Sequence, residues 1–239
     1  MKSLIVGNWK MNPINQKEAK TLFDAVKKGI KVKNIEVVIC PPFVYLHLLK
    51  GLPLGAQDVF FEEKGAYTGE ISPAMLKNLK VEYVIIGHSE RRGYFNETNG
   101  VINKKIKKSL EAGLNVIFCV GEKTDSEKST ILETQMIEGL KDVSEKVLDN
   151  LIIAYEPVWA IGTGKNCGID ETKSSVFIIK NQLQRLYGDR VADSIKILYG
   201  GSVNSKNAAS YIKEAGVNGL LVGGASLDAK EFIKIVSSI

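Results

Sequence analysis

Two side chains in this sequence stand where acid–base chemistry could be carried out. Glu156 directly follows the apolar segment 151–155 and precedes Pro157, so its carboxylate is predicted to lie at a strand end and is a candidate general base. His88 follows another apolar segment and opens the sequence Ser-Glu-Arg-Arg, which could form a helical turn whose positive amino end favours a neutral imidazole. A structural ion pair for Glu156 and a structural role for His88 are the alternatives.

A candidate cation lies near the start of the chain. Lys10, two residues after Asn8, could supply a fixed positive charge to a phosphorylated substrate, and Glu90 could hold its ammonium group in place. A solvated surface lysine is the alternative interpretation. Cys119 has no identifiable base beside it in the sequence, so it is predicted to pack as a small apolar side chain under the site.

Two glycine doublets follow the last two apolar segments of the chain. They are Gly200-Gly201, which is followed by Ser202, and Gly223-Gly224. Glycine lets backbone N–H groups approach an anion closely, and the amino end of a helical turn adds a positive dipole. A tight turn explains either doublet alone. Together, after the seventh and eighth strands of a parallel barrel, they predict a phosphate site.

A loop that could cover a ligand follows Glu156. Residues 157–159 are stiff and residues 160–165 are small, so the segment 157–167 is predicted to be a lid loop. Gly162 could offer its backbone N–H to a phosphate, which would join substrate binding to closure of the lid. A plain surface loop is the alternative.

Short apolar segments alternate with amphipathic segments along the chain. The apolar segments lack polar alternation, as parallel strands covered on both faces require. No linker divides the chain, so we predict an α/β fold: a single-domain (β/α)8 barrel over residues 1–239, with an open doubly wound sheet as the runner-up. The predicted strands are residues 4–9, 36–40, 54–59, 83–87, 116–120, 151–155, 196–199 and 219–222, and the predicted helices are residues 16–28, 101–112, 132–147, 171–186, 205–214 and 229–236, with shorter ones near 44–50 and 73–79.

Composition argues against several classes of function. The 239 residues are 44% hydrophobic and 25% charged, as in globular proteins, and no apolar run is long enough to span a membrane. With three separated cysteines and two histidines, neither a disulfide framework nor a metal site is expected. The basic run 104–108 is interpreted as a solvated helix face, so no nucleic-acid partner is expected despite a formal charge of +5. The first residues lack a secretory cleavage pattern, which predicts a cytoplasmic protein.

The chain resembles the triosephosphate isomerase family in motifs that follow the family's order over essentially the whole chain. The resemblance implies a TIM barrel without a cofactor that interconverts dihydroxyacetone phosphate and D-glyceraldehyde 3-phosphate. It implies that Glu156 moves a proton between adjacent carbons, that His88 is a neutral electrophile, and that Asn8 and Lys10 polarise the enediolate. The motifs cover residues 7–12, 65–72, 87–92, 119–122, 154–165, 199–203 and 221–227.

The resemblance also implies supporting roles. Tyr199 and Ser202 would hydrogen-bond the closed lid, while Glu90, Cys119 and Thr68 would support the catalytic residues. After Lys165 the chain departs from the family pattern with Asn-Cys-Gly, a change that could alter the rate at which the lid opens. The residues implied to bind the substrate and its phosphate are Asn8, Lys10, Gly162, Ser202, Gly223 and Gly224.

The segment 60–72 contains more aromatic side chains than a solvated loop needs, namely Phe60, Phe61 and Tyr67. In the resembled family this loop inserts into a neighbouring subunit beside the positions of Asn8 and Lys10. We therefore predict that residues 60–72 form a dimerisation loop and that the protein is a homodimer.

Two other functions remain open at this point. A phosphosugar-binding homologue that has lost turnover would keep the barrel but replace the base or the electrophile, and neither is replaced here. A barrel enzyme that forms a Schiff base would need a buried lysine on a strand, and no strand core contains a convincing one.

Overall fold

The computed structural model describes residues 2–124, 128–160 and 166–239. These residues form eight parallel strands: Ser3–Asn8 (β1), Ile35–Cys40 (β2), Gly55–Ala56 (β3), Tyr83–Ile86 (β4), Asn115–Val120 (β5), Leu151–Tyr155 (β6), Lys196–Tyr199 (β7) and Gly219–Val222 (β8). They pair in the order β2-β1-β8-β7-β6-β5-β4-β3. A bridge between Ile39 and Leu54 joins the two ends of this order, so the sheet is a nearly closed barrel.

Helices separate the strands along the chain. Local sequence sets several of their starts, since Asn15 accepts a hydrogen bond from the Glu18 N–H at 2.9 Å and Ser72 accepts one from the Met75 N–H at 3.3 Å. None of the described helices is both long enough and apolar enough to cross a membrane. The helices are Gln16–Gly29 (α1), Pro73–Asn78 (α2), Ser89–Tyr94 (α3), Asn99–Glu111 (α4), Lys128–Gly139 (α5), Ile169–Tyr187 (α6), Asp189–Ser194 (α7), Ala208–Glu214 (α8) and Ala229–Ser237 (α9), with 3₁₀ turns at Phe43–Tyr45, Glu145–Asn150, Val158–Ala160 and Gly224–Leu227.

Both faces of the strands are buried, which explains their continuously apolar sequences. Ile85 and Leu198 belong to a cluster that fills the barrel interior, whereas their neighbours Ile86 and Ile197 belong to the core between strands and helices. The predicted single-domain (β/α)8 barrel is confirmed. The open doubly wound sheet is wrong, because the first strand pairs with the last, β1 with β8, and the bridge from Ile39 to Leu54 joins the two ends of the strand order.

The third strand is shorter than the predicted 54–59. Gly55–Ala56 pairs with β4, and the chain then leaves the sheet at Gln57. The Gln57 side chain explains this departure, because its Nε2 donates to the backbone oxygens of Lys10 and Cys40, both at 2.8 Å. At Gln57, hydrogen bonds from the side chain replace the backbone hydrogen bonds that would continue the strand.

The helix predicted over 132–147 is wrong in extent. The observed α5 ends at Gly139, Asp142 adopts a φ of 55°, and Ser144 caps the next 3₁₀ turn. Leu140 and Val143 nevertheless stay buried, which explains why the apolar pattern continues beyond the helix. Other differences are the 3₁₀ turn Phe43–Tyr45 in place of a helix near 44–50, the later start of α8 at Ala208, and the unpredicted helix α7.

Candidate active site

A cavity of about 450 Å³ opens at the carboxyl ends of the barrel strands. It brings together most of the residues predicted for the site: Asn8, Lys10, His88, Glu156, Ser202, Gly223 and Gly224. These residues are contributed by or directly follow β1, β4, β6, β7 and β8. The cavity also has lining residues that the sequence analysis did not single out, among them Asn12, Asn204, Leu221 and Leu227.

Glu156 is buried at the end of β6, with a side chain only 2% exposed. Its backbone N–H donates to the Val120 carbonyl at 2.8 Å, and its Oε2 accepts from the Ser89 N–H at 3.0 Å. The other oxygen, Oε1, lies 3.1 Å from His88 Nε2, yet among the described residues it has no aligned hydrogen-bond donor. One carboxylate oxygen is thus fixed while the other can accept a proton.

Gly200 makes room for this carboxylate. A Cβ on residue 200 would lie 2.9 Å from Glu156 Cγ and 3.3 Å from the Tyr155 carbonyl oxygen, so a larger residue would displace the Glu156 side chain. The sequence predicts a role for Gly200 in the phosphate site alone. Its contact with Glu156 is visible only once β6 and β7 are neighbours.

His88 precedes α3 and is held as one tautomer. Its Nδ1 accepts a hydrogen bond from the Glu90 N–H at 3.2 Å, and a ring nitrogen that accepts carries no proton. The proton of a neutral imidazole is therefore on Nε2, the atom that faces Glu156.

Lys10 lies between Glu90 and Gly223. Its Nζ donates to Glu90 Oε1 at 2.6 Å, and a Cβ on residue 223 would lie 3.2 Å from Lys10 Cε. The backbone of Lys10 has a φ of 52°, a conformation that residues other than glycine seldom adopt. The Asn8 Oδ1 accepts from the Lys10 N–H at 3.0 Å, and Gln57 donates to the Lys10 carbonyl, so neighbouring side chains hold this backbone in place.

A buried ion-pair cluster holds α3 and α4 in position. Lys105 is only 3% exposed, and its Nζ lies 2.7 Å from Asp58 and 2.6 Å from Glu97. Arg91 on α3 lies 2.9 Å from Asp58. Burial raises the pKa of Asp58, and Lys105 opposes that rise. The basic run 104–108 is therefore not a fully solvated face, because Lys105 is buried and paired. The sequence does not show this, since its partners Asp58 and Glu97 cannot be recognised from spacing.

Glu122 holds the amino-terminal end of the predicted lid loop. Its Oε1 accepts from the Tyr155 hydroxyl at 2.9 Å and from Trp159 Nε1 at 3.1 Å, and its carbonyl accepts from the Val158 N–H at 3.0 Å. Burial raises the pKa of Glu122, and the Tyr155 and Trp159 hydrogen bonds oppose the rise. The Glu122 carboxylate thus links Trp159 to the end of β6.

The carboxyl-terminal end of the loop is held by two tyrosines. The Cys167 N–H donates to the Tyr199 hydroxyl at 3.1 Å, and the Tyr211 hydroxyl donates to the Cys167 carbonyl at 2.6 Å. Ser202 Oγ donates to the Ala160 carbonyl at 2.7 Å. Gly162 lies outside the described residues. No motif in the sequence points to Tyr211, which lies within the predicted helix 205–214.

None of the four residues named as supporting, Glu90, Cys119, Thr68 and Tyr199, is part of the cavity wall. Thr68 is exposed in the segment 60–72, and Cys119 is buried in the barrel interior, where burial raises the pKa of its thiol and the nearby Glu156 carboxylate adds to the rise. Arg92 was not singled out, yet its Nε donates to the Gly87 carbonyl at 2.8 Å and its Nη2 to the Cys119 carbonyl at 3.1 Å. It therefore ties the segment before His88 to β5.

Comparison with known proteins gives consistent matches. A family model described as triosephosphate isomerase matches residues 3–239. A triosephosphate isomerase of Dehalococcoides mccartyi is 48% identical over 243 residues, which cover 97% of this chain and 94% of that protein. A triosephosphate isomerase of a Thermoanaerobacter species is 46% identical, with 98% of each chain covered. That of Alkaliphilus oremlandii is 42% identical, with 99% of each chain covered.

Proposed function

The chain belongs to the triosephosphate isomerase family and interconverts dihydroxyacetone phosphate and glyceraldehyde 3-phosphate, a step of glycolysis, and we propose that Glu156, His88 and Lys10 carry the chemistry. The observation that supports this assignment is the approach of Glu156 Oε1 to His88 Nε2, 3.1 Å apart in the cavity that Lys10 also lines. A substrate bound in this cavity would thus meet both protonation sites and the cation of a proton-transfer reaction.

The proposed reaction begins with proton removal by Glu156. Its unpaired Oε1 takes a proton from the carbon next to the substrate carbonyl, and the electron pair moves onto the carbonyl oxygen to give an enediolate. The Nε2–H of His88 donates to that oxygen and transfers a proton between the two neighbouring oxygens. Glu156 then returns its proton to the adjacent carbon, which completes the isomerisation.

Lys10 and Asn8 stabilise the charge that develops in this reaction. In this proposal the Lys10 ammonium group faces the enediolate and also attracts the phosphate, while the Asn8 Oδ1 accepts from the Lys10 N–H and supports the Lys10 backbone. Gly223, Gly224 and Ser202 line the same cavity and offer the phosphate polar groups at its edge. We assign Gly162 to this phosphate site on the family resemblance alone, and the loop 157–167 to the lid.

The proposal predicts that solvent hydrogen enters the product. With dihydroxyacetone phosphate in deuterated water, a proton held on Glu156 exchanges with solvent before it returns, so glyceraldehyde 3-phosphate carries deuterium at its C2 carbon. Mass spectrometry of the product measures this. Binding of the substrate without isomerisation or exchange would favour a phosphosugar-binding protein that has no turnover.

We also propose that the protein is a homodimer. Large exposed apolar side chains follow four consecutive strands of the barrel: Met11 and Ile14 after β1, Val44 after β2, Tyr67 after β3, and Tyr94 and Phe95 after β4. Loops that follow adjacent strands adjoin one another, so these side chains form an apolar rim next to the active-site cavity. The segment 60–72 lies in this rim, and a second copy of the chain would cover it.

A charge in the rim is expected to separate the subunits. Ile14 is 88% exposed, and a carboxylate there would be buried without a partner in the dimer, so Ile14→Asp should raise the dissociation constant about 100-fold, or ~3 kcal/mol. Phe177→Asp is the matched control, because Phe177 is 65% exposed on α6, away from the rim. Sedimentation of both variants measures the effect, and an active wild-type monomer at micromolar concentration would contradict the proposal.

We place the protein in the cytoplasm. Cys40, Cys119 and Cys167 are free and buried, which suits a reducing compartment, and the reaction is a step of glycolysis. The proposed partners are the phosphorylated triose and a second copy of the chain.

A further inference from the structure

A ring of hydrogen bonds surrounds one peptide unit at the end of the loop 157–167. The Cys167 N–H donates to the Tyr199 hydroxyl oxygen at 3.1 Å, and the Cys167 carbonyl accepts from the Tyr211 hydroxyl at 2.6 Å. The two hydroxyl oxygens lie 3.2 Å apart. Cys167, Tyr199 and Tyr211 are fully buried, so water does not compete for these bonds.

The single hydrogen on each hydroxyl fixes the direction of the ring. The Tyr211 O–H points at the Cys167 carbonyl, so the Tyr211 oxygen accepts from the Tyr199 O–H and also from Asn166 Nδ2 at 3.1 Å. Burial raises the pKa of Tyr199 and of Tyr211, so both hydroxyls keep their protons. Every donor of the ring therefore has an acceptor, and removal of one hydroxyl leaves a buried group unpaired.

Tyr211 also fixes the Tyr199 ring. The two rings are stacked, with centroids 3.9 Å apart and planes 15° from parallel, and they come from α8 and β7. Ser202, three residues after Tyr199, donates to the Ala160 carbonyl at the other end of the loop. The segment 199–202 thus contacts both ends of the loop, and Tyr211 fixes this segment through its stacking and hydrogen bond with Tyr199.

We propose that Tyr211 is a positioning residue for the isomerase reaction, acting through the Tyr199 hydroxyl and the Cys167 carbonyl on the end of the loop 157–167. This role rests on the proposed function of the loop. Tyr211 does not line the cavity and touches no reacting atom. Its effect is to keep the chain at Cys167 in the place from which the loop can exclude water from the enediolate.

A side reaction reports on this positioning. When the enediolate is poorly enclosed, its electron pair expels the phosphate from the third carbon as inorganic phosphate, and the remaining enol takes up a proton to give methylglyoxal. The ratio of inorganic phosphate to isomerised product measures how well the intermediate is held. A loss of folded protein lowers both products equally and leaves that ratio unchanged.

The test compares Tyr211→Phe with Tyr187→Phe. The Tyr187 hydroxyl lies 3.1 Å from the Leu140 carbonyl oxygen and 3.3 Å from that of Val143, and its single hydrogen serves these acceptors, so the control removes a similar bond to backbone far from the cavity. In Tyr211→Phe we expect the phosphate ratio to rise about tenfold, and the affinity for glycerol 3-phosphate to fall by about the same factor, as for one lost buried hydrogen bond. Tyr187→Phe should change neither quantity.

Each outcome separates the two proposals. If Tyr211→Phe lowers the melting temperature but matches Tyr187→Phe in both quantities, Tyr211 is structural and the positioning role is wrong. If Tyr211→Phe does not fold, Asn166→Ala replaces it; a rise of about twofold in the phosphate ratio supports the role, and an unchanged ratio overturns it. If the wild-type protein neither isomerises dihydroxyacetone phosphate nor binds glycerol 3-phosphate, the proposed function itself fails.

Discussion

Replacement of Glu156 by glutamine is expected to lower kcat about 10²- to 10⁴-fold, the range that a general base contributes, while the affinity for glycerol 3-phosphate stays within about threefold of the wild-type value. The amide has the size of the carboxylate, and its oxygen can still accept from the Ser89 N–H. It cannot take a proton at the position of Oε1, the oxygen that has no aligned donor among the described residues. Deuterium uptake into the product should fall together with kcat.

Glu36→Gln serves as the control for that substitution. Glu36 is partly buried near the start of β2, at the opposite end of the barrel, and accepts a hydrogen bond from the Tyr83 hydroxyl. The control makes the same chemical change without reaching the cavity, so its kcat should match that of the wild-type protein. Glu156 is not the base if Glu156→Gln keeps more than about a tenth of the wild-type kcat.

The architecture could be predicted because parallel strands covered on both faces leave a strong pattern. In Ile152-Ile153-Ala154 each side chain is buried, and the absence of polar alternation identifies a strand that has no solvent face. The same reasoning fails at β3, where Gln57 satisfies two backbone carbonyls from elsewhere in the chain. It also fails after α5, because Leu140 and Val143 are buried by an irregular segment and apolar spacing does not distinguish that segment from a helix.

The positions of the site residues follow from strand ends, but their partners do not. Glu156 and His88 could be placed on one face of the barrel because each directly follows a strand. The bond from the Glu90 N–H to His88 Nδ1 is local, and the turn after β4 made it foreseeable. The contact of Gly200 with Glu156 and the bonds of Tyr211 to Cys167 join distant segments, so no spacing in the sequence reveals them.

Lys10 combines an unfavourable backbone conformation with a tightly held ammonium group. Its φ of 52° is a sparsely populated conformation for a lysine, and it is maintained by the bond from the Lys10 N–H to Asn8 and the bond from Gln57 to the Lys10 carbonyl. The Nζ to Glu90 Oε1 distance of 2.6 Å keeps the charge at one place before substrate binds. A cation that is already in position stabilises the developing enediolate without reorganisation in the transition state.

Lys10→Met is therefore expected to lower kcat/KM about 10²- to 10³-fold, with a lower kcat and a higher KM, because in the proposed mechanism the same charge serves the enediolate and the phosphate. Lys20→Met is the matched control: Lys20 Nζ lies 2.8 Å from Asp24 on an exposed face of α1, so its loss should leave both constants unchanged. Lys10→Met also leaves Glu90 without its cation partner, and Glu90 Oε2 lies 3.7 Å from His88 Nδ1. Steady-state kinetics of the double variant Lys10→Met/Glu90→Gln separate these effects. If the double variant regains wild-type kcat/KM, the loss came from the unpaired carboxylate, and Lys10 does not act on the substrate.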